Sequence, residues 1–424
     1  MHILFIVTSF WAYGELTIAC EFAKRAVQAG FRPYFLIPPS HKAIMNKYGF
    51  SYTCLLPRSR KINQIIFQDI ESRIQPELVI LADFLNYNFC ETHYGLLPED
   101  LKIFHGRKGT FDDFDWSVTG EFMDTYGFCS SKFAKLDVKE YGFSLCPCPV
   151  VNPVHEKREN IFHYKLIADK IPYEPEKTDQ WKKKLGLSTD KKLILFTSAT
   201  WQESYKQYPD VLSFVALNNE LFWFVLEELA TEHTVICIGE KGYFSKKENS
   251  RIIFHEHLMP DIFQEYLLAT DLFVARNLVS TSLARAVLSG IPAVNFENSV
   301  TFHSGAPLER KHILFNIEDW VYQKIKELKR SYPYRMYPVG WYQFLEPLNE
   351  NNPYMDAFLH LEQYDIKGAS EKIRTLLESE NEREKYRSRS KAYDHRLDEL
   401  PEVGVILREL IEGNKKITKG DFYE

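Results

Sequence analysis

The residues with the clearest chemical potential lie between Leu267 and Asn298, in the stretch LLATDLFVARNLVSTSLARAVLSGIPAVNFEN. Ser280, Thr281 and Ser282 set three hydroxyls where a helix can begin, and Gly290 followed by Pro292 marks where it must stop. The apolar run from Asp271 to Ala275 reads as a strand buried on both faces, and Ala293-Val294-Asn295-Phe296 as the start of the next. A strand that feeds a hydroxyl-rich helix start aims backbone N–H groups and the positive end of a helix dipole beyond the sheet. That chemistry suits an anion, most naturally a phosphate or diphosphate. An ordinary β-α-β unit with a hydroxyl cap shows the same pattern, so the surrounding chain has to decide.

Two other motifs exclude chemistry. The loop after the first predicted strand, Thr8-Ser9-Phe10-Trp11-Ala12-Tyr13-Gly14-Glu15, holds one glycine where a dinucleotide fingerprint needs three. Nicotinamide or flavin binding is therefore not expected there. Cys146-Pro-Cys148 is the one close cysteine pair, and no second pair or histidine motif follows at zinc-like spacing, so no metal and no cofactor is expected. The seven cysteines are scattered and several sit in apolar runs, as expected of reduced, buried thiols in a cytoplasmic protein.

Composition narrows the partners. The 424 residues are 45% hydrophobic and 26% charged, as in a soluble globular chain of two to three domains. Fifty-two basic against 58 acidic residues leave a net charge of −6, so neither nucleic acid nor an anionic membrane surface is an expected partner. No apolar run is long enough to span a bilayer, and apolar Ile3–Val7, with no basic run before it and no small-residue cleavage site after it, is not expected to act as a targeting signal.

The elements that must position these residues alternate. His2–Val7 reads as a strand, followed by a helix with Ala19, Phe22, Ala23 and Ala26 on one face and Lys24, Arg25 and Gln28 turned outward. Strands are expected at Pro33–Ile37, Leu78–Ala82 and Leu101–Phe104, with a helix through Ile62–Ile74. Between Val150 and Asp179 prolines and charges indicate a linker. The alternation restarts with strands at Leu193–Phe196, Thr234–Ile238 and Arg251–Phe254, and a helix through Leu221–Ala230. Two α/β units with parallel sheets follow, each binding ligands beyond the carboxyl ends of its strands.

Taken in order, KKLILFTSAT, RIIFHEHLMPDIFQEYLLATDLFVA and STSLARAVLSGIPAVNFEN resemble the donor-binding domain of the GT-B superfamily of nucleotide-sugar glycosyltransferases. MHILFIVTSF…GELTIACEFAKRAVQAGF is similar to the opening of the acceptor domain. The resemblance implies two Rossmann-like domains facing a central cleft: residues 1–175 for the acceptor, 176–365 for the donor, and C-terminal helices over 366–424 crossing back onto the first domain. It also implies metal-independent, inverting transfer of a sugar from a nucleotide-diphosphate donor to a hydroxyl or amine acceptor by direct displacement.

The resemblance carries over residue by residue. Where many inverting members place Gly-His, with the histidine as base, this chain has Gly14-Glu15. A carboxylate fills that role if burial raises its pKa, although an acid in a first helical turn also complements the dipole. Asp83, at a strand exit, is the second candidate; Asp112, Asp113 and Asp115 form either a solvated loop or part of the acceptor side. Ser198 and Thr200 match a phosphate loop, Ser280–Ser282 the diphosphate loop, and Glu297-Asn298 the pair that touches sugar hydroxyls. The loop through His257 and Met259 matches the one that receives the nucleobase. One departure stands out: Arg285 occupies the place of a ribose-binding glutamate. With Arg276 it favours phosphate over ribose contacts, because a guanidinium donates to diphosphate but accepts nothing. A nucleotide-sugar 2-epimerase of the same fold, or a non-catalytic nucleotide-binding protein, are the alternatives. The aromatic stretch YRMYPVGWYQFLEPLNENNPYMDAF suits either sugar recognition or packing.

Overall fold

The computed structural model describes residues 1–10, 13–88, 90–113, 115, 138, 141–198, 209–239, 244, 249, 251–256, 258–299, 317–328 and 351–420. The chain divides into two units: Met1–Met123 with Ala134–Ala168 and His395–Glu424, and Asp124–Phe133 with Asp169–Asp394. The helices after residue 366 are thus shared, the stretch to Asp394 belonging with the second unit and the remainder with the first.

The first unit is built on a seven-stranded sheet. Its strands are β1 (His2–Ile6), β2 (Arg32–Ile37), β3 (Ser51–Cys54), β4 (Leu78–Leu81), β5 (Arg107–Phe111), β6 (Ser144–Cys148) and β7 (Ile161–Lys165). The order is β3-β2-β1-β4-β5-β6-β7, with every pairing parallel. Strand order reverses between β1 and β4, which opens a crevice beyond their carboxyl ends.

Helix α1 (Gly14–Gln28) covers the sheet, with Phe22 edge-on to Tyr164 and Phe111 at 5.2 and 5.4 Å between ring centroids. Arg25 corrects the outward-facing reading of this helix. It is buried, its guanidinium donates to the backbone oxygens of Lys165 and Leu166, and it lies over the Tyr164 ring. The charge is tolerated because carbonyls and a ring face replace its water. At the other end of the chain, helix α9 (Val403–Gly420) buries Val403, Ile406, Leu407 and Leu410; Gly404 lets it approach α1, since a Cβ there would stand 2.8 Å from that of Ala29.

The strand expected at Leu101–Phe104 is instead a 3-10 helix, Pro98–Ile103. Pro98 suits a first helical turn, and the Asp100 carboxylate accepts from Leu97 N at 2.8 Å, so local capping overrides the apolar run. The true strand, β5, starts with Arg107-Lys108 and carries Gly109 where a Cβ would lie 2.3 Å from the Phe143 ring. Strands β6 and β7 also lie within or beside the stretch read as a linker. They are short and interrupted by a proline and a histidine, which hides their apolar pattern.

The second unit has a six-stranded sheet in the order β10-β9-β8-β11-β12-β13. Its strands are β8 (Leu193–Thr197), β9 (Thr234–Ile238), β10 (Ile252–His255), β11 (Leu272–Ala275), β12 (Ala293–Glu297) and β13 (Leu359–Glu362), again all parallel. Here the order reverses between β8 and β11. Helix α4 (Pro209–Leu229) supplies Phe222, Trp223 and Leu226 to the core, and Glu228 at its end accepts from Ser370 and Arg374 of helix α7 (Ile366–Glu378). Helix α6 (Thr281–Ser289) starts as expected. Ser280 Oγ accepts from Leu283 N at 3.3 Å, and Gly290 ends the helix at φ +88°. Replacing Ser280 with alanine is expected to lower stability by about 1 kcal/mol in a denaturant titration, the usual cost of an N-cap hydroxyl.

Candidate active site

The first crevice gathers carboxylates. Glu15 stands in the first turn of α1, directly after β1; Asp83 follows β4; and Asp112 and Asp113 follow β5. The sheet order therefore brings together groups from sequence positions 29 to 98 residues apart. Asp83 caps the short helix α3 (Phe84–Asn88), accepting from Asn86 N at 3.2 Å. The Asn86 amide then bridges two carboxylates, donating to Asp83 Oδ2 at 2.7 Å and to Glu15 Oε1 at 3.4 Å.

Burial pushes the Glu15 carboxyl up to about 7, and the charge of Asp83 pushes in the same direction. Its own helix N–H and Ser9 oppose this, although Ser9 Oγ does not reach hydrogen-bonding geometry. Burial raises Asp113 well above the usual carboxylate range, reinforced by Asp83, Glu15 and Asp112. Among the described residues, buried Glu15 Oε2 and Asp113 Oδ1 make no hydrogen bond. The acidic run after β5 is not a solvated loop: Asp112 is fully buried and its N–H donates to Leu145 O at 2.8 Å. A carboxyl that loses its proton near neutrality, with an uncommitted oxygen, can accept a proton from an incoming hydroxyl.

The second crevice lies where β8 and β11 diverge. Ser198 follows β8, with its N–H on Ile238 O at 2.9 Å, and packs against Gly239 at the end of β9. Ser280, Thr281 and Ser282 open α6 beyond β11. Arg276 extends to Asn219, with Nη1 2.7 Å from Oδ1, and lies over the Phe222 ring at 4.8 Å. Arg285, on the body of α6, donates from Nη1 to Asp169 O at 3.3 Å. These contacts order both guanidinium groups within the second unit.

Glu297 ends β12, and Asn298 beside it is fully buried. Met259 caps helix α5 (Pro260–Ala269) after β10. Thr200, His257 and residues 334–350 of the aromatic stretch lie outside the described residues, whereas Tyr354 and Phe358 at its end are buried.

The structure adds two residues that the sequence reading missed. His360 and Glu362 lie on β13, in register with Asn295 and Glu297. His360 Nδ1 is 3.1 Å from Glu297 Oε2, and Nε2 is 2.8 Å from Met355 O. Burial pushes Glu362 up to about 7, against the opposing pull of Ser299, whose N and Oγ donate to Glu362 Oε2 at 2.9 and 2.7 Å. The signal available in sequence was slight: Leu359–Glu362 is four residues long and alternates apolar with polar side chains.

Two Rossmann-like parallel sheets, each with its polar residues at the point where strand order reverses, define a GT-B-like fold. Solved structures of that type align along nearly the whole chain. Spinosyn forosaminyltransferase SpnP matches with a TM-score of 0.54 at 13% identity, over 97% of this chain and 98% of its own. UGT89C1 of Arabidopsis thaliana, complexed with quercetin, gives a TM-score of 0.55 at 11% identity over 97% and 98%. VinC, complexed with dTDP, gives 0.51 at 10% identity over 98% and 100%. The chain itself belongs to DUF6365, a family of unknown function, whose model matches residues 22–414. No curated protein matches it. Among the described residues no helix is long and apolar enough to cross a membrane.

Proposed function

We propose that this protein transfers a sugar from a nucleotide-diphosphate donor to a hydroxyl acceptor by direct displacement, with Glu15 as the general base. The observation that carries the reading is the Glu15 carboxyl, lifted to about 7 at the crevice of the first sheet. A base is most effective when its pKa lies near the working pH, because it is then both available and basic enough to draw the proton. The Glu15 carboxylate takes the hydroxyl proton as the acceptor oxygen forms its bond to the anomeric carbon. The bond from that carbon to the diphosphate breaks, and the diphosphate leaves with the electron pair. Asp83 keeps Glu15 basic by its charge, and Asn86 orients the pair.

On the donor side, the start of α6 with Ser280–Ser282 and the Ser198 loop is assigned to the diphosphate, whose developing charge a helix N-terminus stabilises. Thr200, Arg276 and Arg285 are assigned to the same role, and His257 and Met259 to the nucleobase. Glu297, Asn298 and, from the structure, His360 and Glu362 offer acceptors and donors of the kind that hold sugar hydroxyls. VinC is described with dTDP and UGT89C1 with quercetin, so relatives in fold supply both kinds of probe.

Because the base works ionised, kcat/KM is expected to fall about tenfold per pH unit below an inflection near 7 and to level off above it. A profile flat from pH 5.5 to 8.5 would remove Glu15 from the base role. Incubation with one nucleotide sugar and no acceptor separates transfer from epimerisation, since only the latter converts the donor.

A further inference from the structure

We propose that Asp115, Cys146 and His163 form a site for a borderline-soft divalent cation of the zinc type, stapling β6, β7 and the chain leaving β5. One ligand atom from each of the three lies within 4.8 Å of the others. The topology explains the meeting: Cys146 and His163 are register partners on adjacent parallel strands, so their side chains share one face of the sheet. Asp115, four residues past β5, turns back at φ +52°. All three are buried, Cys146 at 0%, His163 at 3% and Asp115 at 5% exposure.

A second observation points to a ligand. Among the described residues, buried His163 Nε2 has no hydrogen-bond partner. A buried nitrogen left without a partner is costly, and coordination would offset that cost. Cys148 Sγ, two residues along β6, lies 3.9 Å from His163 Nδ1, the nitrogen facing away from Nε2, so it holds the imidazole in orientation and is not a ligand. Tetrahedral zinc, with bonds of about 2.0–2.3 Å, holds its ligand atoms about 3.3–3.8 Å apart, so closure shortens each separation by about 1.5 Å at most. Arg158 Nη1 pairs with Asp115 Oδ2 at 3.4 Å. That ion pair would orient the carboxylate as an outer-sphere partner orients a metal ligand. Sulfur and imidazole donors exclude hard cations such as magnesium or calcium and favour zinc. Spacing along the chain conceals the site, because its ligands come from three separate elements.

The test uses the full, untagged chain. Protein purified without chelator is expected to carry about one zinc per chain, and the cobalt-loaded form to show a thiolate-to-cobalt charge-transfer band. Cys146→Ser should abolish that band, while Cys54→Ser on β3 should keep it. Should Cys146→Ser fail to fold, chelator-treated wild type titrated with zinc must gain melting temperature. His163→Asn should weaken that response by at least the roughly 10–100-fold lost with an outer-sphere partner. Substoichiometric zinc with no thiolate band and no thermal response in the wild type overturns the site, as does a band that survives Cys146→Ser in folded protein.

Discussion

Glu15→Gln is expected to cut sugar transfer by about 10²–10⁴-fold, the usual worth of a general base, while making the folded protein more stable above neutral pH. The two effects share one cause. The carboxyl sits at about 7 in the folded chain against an ordinary 4.5, so the folded state retains a proton that the unfolded chain releases. Stability from this group is therefore highest below pH 4.5, declines as pH rises towards 7, and stays reduced above it. Glutamine carries no charge to desolvate, and its gain should be on the order of 1 kcal/mol at pH 8 and close to nil at pH 4.5. Steady-state kinetics and denaturant melts at the two pH values measure both. Unimpaired transfer, or a variant less stable than wild type at pH 8, contradicts the assignment. A purely structural acid at a helix start would give the opposite sign, since removing it forfeits its favourable interaction with the dipole.

Gly239→Ala should be the most damaging single substitution on the donor side. This residue ends β9 at φ +127°, a conformation that side chains rarely adopt, and an added Cβ would stand 2.5 Å from both the backbone oxygen and Oγ of Ser198. Neither neighbour can yield cheaply. Ser198 N is held by Ile238 O, and Gly239 N donates to His255 O at 2.9 Å. Backbone strain and the clash together are expected to cost about 2–4 kcal/mol. Any protein that still folds should bind nucleoside diphosphate far more weakly, because the displaced loop is the one assigned to phosphate. Gly186→Ala is the control: it also has positive φ, +70°, but nothing stands within 4 Å of its added Cβ. It should lose only about 1 kcal/mol, the conformational cost alone, and keep nucleotide affinity. Equal losses at both positions would show that the Ser198 contact is unimportant.

How much of this was legible in the sequence depends on whether the cause was local. The start and stop of α6 were, because Ser280, Gly290 and Pro292 act within a few residues of themselves, and Ser280 caps as its type requires. The buried central strands β1, β4, β8, β9 and β11 were also plain, since a strand covered on both faces must be apolar throughout. Strands β5, β6, β7 and β13 were not. Arg107, Lys108, Pro147, His163 and His360 break their apolar runs, and their partners are assigned only by pairing across the sheet. Burial of polar groups was the hardest to foresee. Arg25 looked like a solvent-facing helix residue until the carbonyls of Lys165 and Leu166, 140 residues on, accounted for its charge. Asp112 looked solvated for the same reason. Glu15 could be singled out by position, but the pressure that raises its pKa comes from burial and from Asp83, and only the fold supplies both.

The most direct test supplies purified protein with a pool of uridine and thymidine diphosphate sugars and a panel of hydroxyl acceptors, and follows sugar addition by mass spectrometry. The account predicts a product heavier than its acceptor by one sugar, with stoichiometric release of nucleoside diphosphate. Glu15→Gln should lose product formation while still binding the nucleotide. Tight nucleotide binding by the wild type without any product across the pool, or donor conversion to an epimer with no acceptor present, would contradict it.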